Sequence, residues 1–216
     1  MRALFEKDLR LILTRKSTLF IFLIIGVGFT WSFSSSYSGA YLTMLGTMLA
    51  LSTISFDDSD NCMAFLFTLP CTRKQYVLEK YIFVYGVSML AGLIGLVIII
   101  ISSIAKGSVM DEAMLIETLV SEIPILVITG GLMIPLQLKF GPEKSRIVLM
   151  LVIGVVLIAG YIISKSAYVS TMIEQVRKLL DGNAPIQLLA LLIATLVIIT
   201  VISVLATSKI MNVKEF

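Results

Sequence analysis

Glu117 and Glu122 are the side chains best placed to do chemistry in this chain, because carboxylates inside an otherwise apolar stretch are standard parts of a proton or ion relay. Their spacing of five turns them about 140° apart on a helix. Both also fall near one end of their stretch, where water is close, and a solvated helix start explains them more simply. Cys62 and Cys71 are the only thiols, too few for a disulfide framework, and no histidine exists to join them in a metal site. The lack of histidine also removes Ser/His/Asp triads, HExxH zinc sites and imidazole acid–base work near neutral pH. No GxxxxGK[ST] phosphate loop is present. Asp57, Asp58 and Asp60 gather at the end of an apolar run rather than within one, which argues against an intramembrane aspartyl protease. No residue is assigned as catalytic or as a metal ligand.

The elements that must position these groups are membrane helices. Of 216 residues, 58% are hydrophobic and 14% charged, against roughly 25% charged in soluble domains, and the mean hydropathy is +1.01. The apolar residues form runs of about twenty, the length that crosses roughly 30 Å of hydrocarbon as an α-helix. Six spans are expected, at 17–33, 37–56, 81–105, 114–138, 147–164 and 186–208, giving an all-α polytopic membrane protein with a single transmembrane domain over 1–216. The fourth carries Glu117, Glu122, Pro124 and Pro135, and a kinked or partly re-entrant helix fits it as well as a straight one. With the N-terminus inside, only Lys106, Lys165, Arg177 and Lys178 of the 17 basic residues fall outside. The positive-inside rule therefore puts both termini in the cytoplasm. A net charge of +3 is too small to imply nucleic acid.

Three polar stretches remain, none long enough to fold alone. Residues 1–16 place Met1, Phe5, Leu9 and Ile12 on one stripe, with Glu6, Lys7 and Arg10 mostly opposite, and read as an interfacial amphipathic helix. Residues 165–185 read as an outer amphipathic helix, with Thr171 and Glu174 fitting a capping box. Residues 57–80 are the most informative. A short helix begins in acidic and Ser residues and stops at Pro70; Thr72 and Gln75 then match a capping box, so a new helix begins at Arg73. Phe65, Leu66, Phe67 and Leu69 would expose more apolar surface than a loop should unless something covers it. Either they dip into the headgroups and pack under the bundle, or they dock a soluble partner, with Arg73 and Lys74 rimming that contact or holding lipid phosphates.

The order of these parts resembles the ABC-2-type permease subunits of bacterial ABC exporters. The resemblance rests on the acidic turn, the aromatic short helix, Leu69-Pro70-Cys71-Thr72-Arg73-Lys74-Gln75-Tyr76 and Glu79-Lys80-Tyr81 leading into the third span, and it covers nearly the whole chain. Among such permeases the chain is similar to the small kind without soluble domains, which includes Gram-positive exporters of amphipathic peptide toxins such as phenol-soluble modulins. The resemblance implies that residues 57–80 contain a coupling helix inserting into a groove of a cytoplasmic ATPase subunit. It implies a second contact at Phe140-Gly141-Pro142, which from residues alone is equally a plain reversal loop. It further implies two ATPase subunits that hold ATP and Mg, no cofactor on this chain, and a second copy of this permease or a similar one.

It also implies that the second and fifth spans border the transport cleft. Tyr41, Met44, Leu45, Met48 and Ser52 align on one face of span two, and methionine suits an adaptable apolar wall. Tyr41, Met44, Met48 and Ser52 are thus candidates for the substrate path, with ordinary bundle core as the competing explanation. Small residues four apart, Gly46 with Ala50, Ala91 with Gly95 and Ala190 with Ala194, suggest close helix packing. The expectation is a multi-pass permease of the bacterial plasma membrane that exports amphipathic peptides or lipid-like compounds by alternating access, without an ATPase site of its own. A secondary carrier using Glu117 or Glu122, and a non-transporting immunity or receptor protein, are the alternatives.

Overall fold

A computed structural model describes residues 2–32, 35–58, 62–68, 71–105, 112–164 and 185–213. Among these, all regular structure is helical: α1 (Arg2–Thr14), α2 (Lys16–Ser32), α3 (Ser35–Asp58), α4 (Cys62–Leu66), α5 (Arg73–Ala105), α6 (Glu112–Ser164) and α7 (Pro185–Val213). Four stretches are long and apolar enough to cross a membrane: Gly39–Asp58, Arg73–Ala105, Ser121–Val152 and Ile193–Val213. The pair α1 and α2, bent by 70° at Arg15, passes the same test only when taken together as one bent span. Exposed Phe20, Ile94, Ile101, Ile202 and Leu205 give these helices the apolar outer faces that lipid requires. The expected outer helix, with Thr171 and Glu174, lies outside the described residues.

The small residues explain how α3 and α5 meet. A Cβ placed on Gly46 would come within 2.4 Å of Ala91 Cβ, and one on Gly95 within 3.1 Å of Gly39 Cα, so the backbones approach as closely as a small-residue seam allows. α3 also packs against α6 and α2, while α7 lies against α6 and α5. Tyr81 joins α5 to α7, with its hydroxyl 2.5 Å from Ser203 Oγ and 2.8 Å from Thr207 Oγ1. Ser203 in turn donates to the Gly131 carbonyl of α6. A buried hydroxyl chain thus holds three helices where dispersion alone would leave their register loose.

Two expected features gain detail in the structure. The Lys139–Arg146 stretch, expected as a turn between two spans, is helical on both sides of a single break at Gly141, and Pro124 and Pro135 lie within the same helical run. Gly141 has φ 78° and ψ 168°, a region essentially reserved for glycine, and Pro142 then opens the next helical segment, where its missing N–H is harmless. A Cβ at Gly141 would also stand 3.2 Å from Asp58 Oδ2. Gly141→Ala is therefore expected to cost about 1–3 kcal/mol, read as a lower unfolding midpoint of the purified protein in detergent.

α1 turns two neighbouring stripes to different surroundings. Leu4, Asp8 and Ile12, spaced four apart, face the bundle, while Phe5 and Leu9 of the apolar stripe are exposed at the rim, Phe5 still reaching Phe83 edge-on at 5.2 Å.

Candidate functional site: a buried charge cluster under the short helix

Asp8 faces inward to meet Lys80. Lys80 belongs to the first turns of α5 and is fully buried, its stem lying among the apolar groups around Tyr76 and Val84. Its ammonium contacts an Asp8 oxygen, lies 2.7 Å from Asp57 Oδ2 and donates to Thr53 Oγ1 at 3.1 Å. The Tyr76 hydroxyl, one turn earlier on α5, donates to Asp57 Oδ2 at 3.0 Å. Lys7 closes the cluster by donating to Asp57 Oδ1. It also lies 3.1 Å from Asp8 Oδ1, so it bridges both carboxylates.

Two ammonium groups and two carboxylates therefore balance, which is the condition under which charges persist away from water. Burial works against the Lys7 charge, but Asp57 and Asp8 outweigh it and raise its pKa above the ordinary lysine value. The cluster fastens α1, the end of α3 and the start of α5 to one another. Arg15, stacked 4.1 Å over the Phe56 ring, pins the α1–α2 elbow to the same end of α3.

The short helix α4 sits directly on this junction. Met63 and Leu66 are buried in the core, and Phe67 packs edge-on against Tyr76 at 5.8 Å. Cys71 Sγ donates to the Leu66 carbonyl at 3.1 Å, and the expected capping box forms in both directions, Thr72 N–H to Gln75 Oε1 at 3.1 Å and Gln75 N–H to Thr72 Oγ1 at 3.2 Å. Of the aromatic patch, Phe65 alone projects outward among the described residues, at 71% exposure; Leu66 and Phe67 turn in. A five-residue helix presents one face outward and one inward, so a run of consecutive apolar residues divides between them. Leu69 and Pro70 lie outside the described residues.

Arg73 also has inward work. Its Nη1 donates to the carbonyls of Met211 at 2.7 Å and Asn212 at 2.9 Å, capping the end of α7, whereas Lys74 is exposed. Arg73→Ala is expected to fray α7 by about 1.5–3 kcal/mol, the range for hydrogen bonds to a charged group. Limited proteolysis near residues 209–213 then becomes faster while α5 stays protected. Phe140 is partly exposed with the Lys139 ammonium 5.1 Å from its ring, and Gly141 abuts Asp58. The Phe140–Pro142 segment and the α3–α4 segment thus occupy the same end of the bundle.

Along α3, Tyr41 stacks on Phe29 of α2 at 4.6 Å, and Met44 is exposed. Met48 and Ser52 line a cavity of about 240 Å³ with Met133, Gln137, Arg146 and Met150 from both sides of the Gly141 break. The expected stripe therefore divides into a packing half and a cavity-lining half. Glu122 is buried rather than solvated, and the side chain of Glu117 lies outside the described residues. No group of metal-binding residues occurs among the described residues.

Sequence reasoning missed the cluster. Asp57 looked like a helix-start acid and Lys80 like a positive-inside anchor; the available signal was the Tyr76–Lys80 helical pair, which places a cation and a hydroxyl on one face.

The apolar helices, the close α3–α5 seam and the paired charges at one end of the bundle define a multi-pass membrane protein. Residues 3–212 match the model of the ABC-2 family transporter proteins, so the chain belongs to that family. No curated protein and no solved structure is significantly similar to it. The chain is thus a membrane permease of the ABC transporter class, whose work is transport rather than catalysis.

Proposed function

We propose that this permease exports amphipathic peptides or lipid-like compounds, driven by two cytoplasmic ATPase subunits that grip α4, and that it works with a second copy of itself or a similar permease. The observation that carries the reading is Phe65: a phenylalanine 71% exposed, on a helix whose other face is locked into the core over the charge cluster. An exposed aromatic on a rigid base is the usual anatomy of a contact anchor.

Movement of α4 would be passed through Leu66 and Phe67 to Tyr76, and through the Asp57–Lys80–Asp8 contacts to α1, α3 and α5 together. Because the junction is fastened on three helices, a push there tilts them as a body. The opposite ends then separate, which is the physical content of alternating access. ATP and Mg sit on the partner subunits; this chain offers Phe65, Lys74 and Phe140 outward, with Leu69, Pro70, Gly141 and Pro142 in the same docking surface, while Leu66, Phe67 and Arg73 brace it from the inside. In this reading both termini and α4 face the cytoplasm, and six spans cross the bacterial plasma membrane.

Tyr41, Met44, Met48 and Ser52 lie on the substrate path, supported by the methionine-lined cavity at Met48 and Ser52. Replacing Met44 and Met48 with alanine is expected to lower cargo-stimulated ATPase activity of the reconstituted complex several-fold while leaving basal activity intact. No change in either rate would return the stripe to core packing.

A further inference from the structure

Toward the end of α3 remote from the charge cluster, Glu122 of α6 enters the seam between α3 and α5. Thr43, at its level, is fourteen residues from Asp57, or about 21 Å along the helix. Glu122 is 8% exposed, and its Oε1 has no hydrogen-bond partner among the described residues. The carboxylate fits because both neighbouring helices present glycine: a Cβ on Gly92 would come within 2.4 Å of Oε2, and one on Gly39 within 2.6 Å of Oε1. Thr43, the nearest hydroxyl, is already committed as a donor to the Gly39 carbonyl at 3.0 Å.

Glu122 lines a cavity of about 540 Å³ with Thr43, Tyr85, Met89, Leu93 and Leu126. Tyr85 belongs to the same wall, but its hydroxyl, buried without a partner among the described residues, lies beside Gly131, nine residues along α6 from Glu122. A carboxyl group with unused hydrogen-bonding capacity is thus set in the wall of an otherwise greasy chamber. A carboxylate inside apolar surroundings is costly unless a cation or donor meets it. The methionine and leucine lining offers matching surface for a hydrocarbon portion.

We propose that this cavity binds an amphipathic cation, an apolar chain bearing a primary ammonium group, with Glu122 as counter-ion. The proposal deepens the export reading by naming the charge class of the cargo, and it rests on that reading for its transport meaning. Binding itself needs neither ATPase nor a gradient.

The test is native mass spectrometry of the purified permease with dodecylamine at pH 7, using uncharged 1-dodecanol as the matched control. The wild type is expected to retain dodecylamine at least about tenfold better than dodecanol, the scale of one charge-assisted contact. Glu122→Gln should remove that preference and Glu122→Asp should keep part of it. Met89→Trp, which fills the chamber without altering the carboxylate, should remove binding of both probes and keeps the test decisive if Glu122→Gln fails to fold. Equal retention of the two probes by the wild type, or an undiminished preference in a folded Glu122→Gln protein, would overturn the proposal. Loss of ATPase docking with dodecylamine binding intact would strike the export reading alone.

Discussion

Lys80→Met is expected to destabilise the folded protein by about 3–5 kcal/mol, the cost of breaking a buried ion pair by removing one partner. The methionine stem replaces the lysine stem, so little packing is lost. What remains is Asp8 and Asp57 facing each other with only Lys7 between them, and Lys7 is itself partly exposed. Pairing Lys80→Met with Asp8→Leu restores charge balance and is expected to recover most of the loss, because an apolar pair of similar volume is often as stable as the ion pair it replaces. Denaturant titration of the three proteins in the same detergent reads the difference directly. A single variant within about 0.5 kcal/mol of the wild type would mean that the cluster does not hold the three helices together.

Phe65→Ala is the second large effect, and it falls on association rather than stability. With its ring 71% exposed, Phe65 contributes little to the fold, so the unfolding midpoint should stay where it is. If the ring fills a groove of the ATPase, truncation should cost about 2–4 kcal/mol of binding, or roughly thirtyfold or more in Kd. Leu66→Ala and Phe67→Ala should instead lower stability, since Leu66 is buried and Phe67 packs on Tyr76. The separation of these two behaviours among adjacent residues is the signature of a helix with one face anchored and one offered. Titration of the purified permease with the ATPase subunit, read by biolayer interferometry alongside a melting curve, distinguishes them.

What could be read from the sequence was whatever depends on short range. Apolar runs marked the helices, the Thr72–Gln75 box marked where α5 begins, and Gly141-Pro142 marked a break; α4 ends at Leu66, before the Pro70 stop read from the sequence. Each follows from the conformational limits of a few neighbouring residues. The charge cluster joins positions 7, 8, 57, 76 and 80 across three helices, and nothing local in the chain specifies which lysine meets which aspartate. For the same reason Arg73 looked like a surface anchor until α7 supplied the carbonyls it caps. Glu122 looked solvated because its place along the helix is near an end; its burial comes from Gly39 and Gly92 on two other helices. Asp8 likewise faces inward because Lys80 on another helix matches it, which nothing within α1 specifies.

The contact between α4 and an ATPase can be measured at Cys62, the exposed thiol that opens α4. With Cys71→Ser leaving Cys62 as the sole thiol, a short maleimide–diazirine cross-linker is attached in membranes that contain the complete transporter, and the conjugates are identified by peptide sequencing. The account predicts a conjugate to a subunit carrying a Walker A loop, formed from the cytoplasmic face and reduced by Phe65→Ala. Free labelling of Cys62 with no ATPase conjugate, or labelling from the outer face alone, would contradict it.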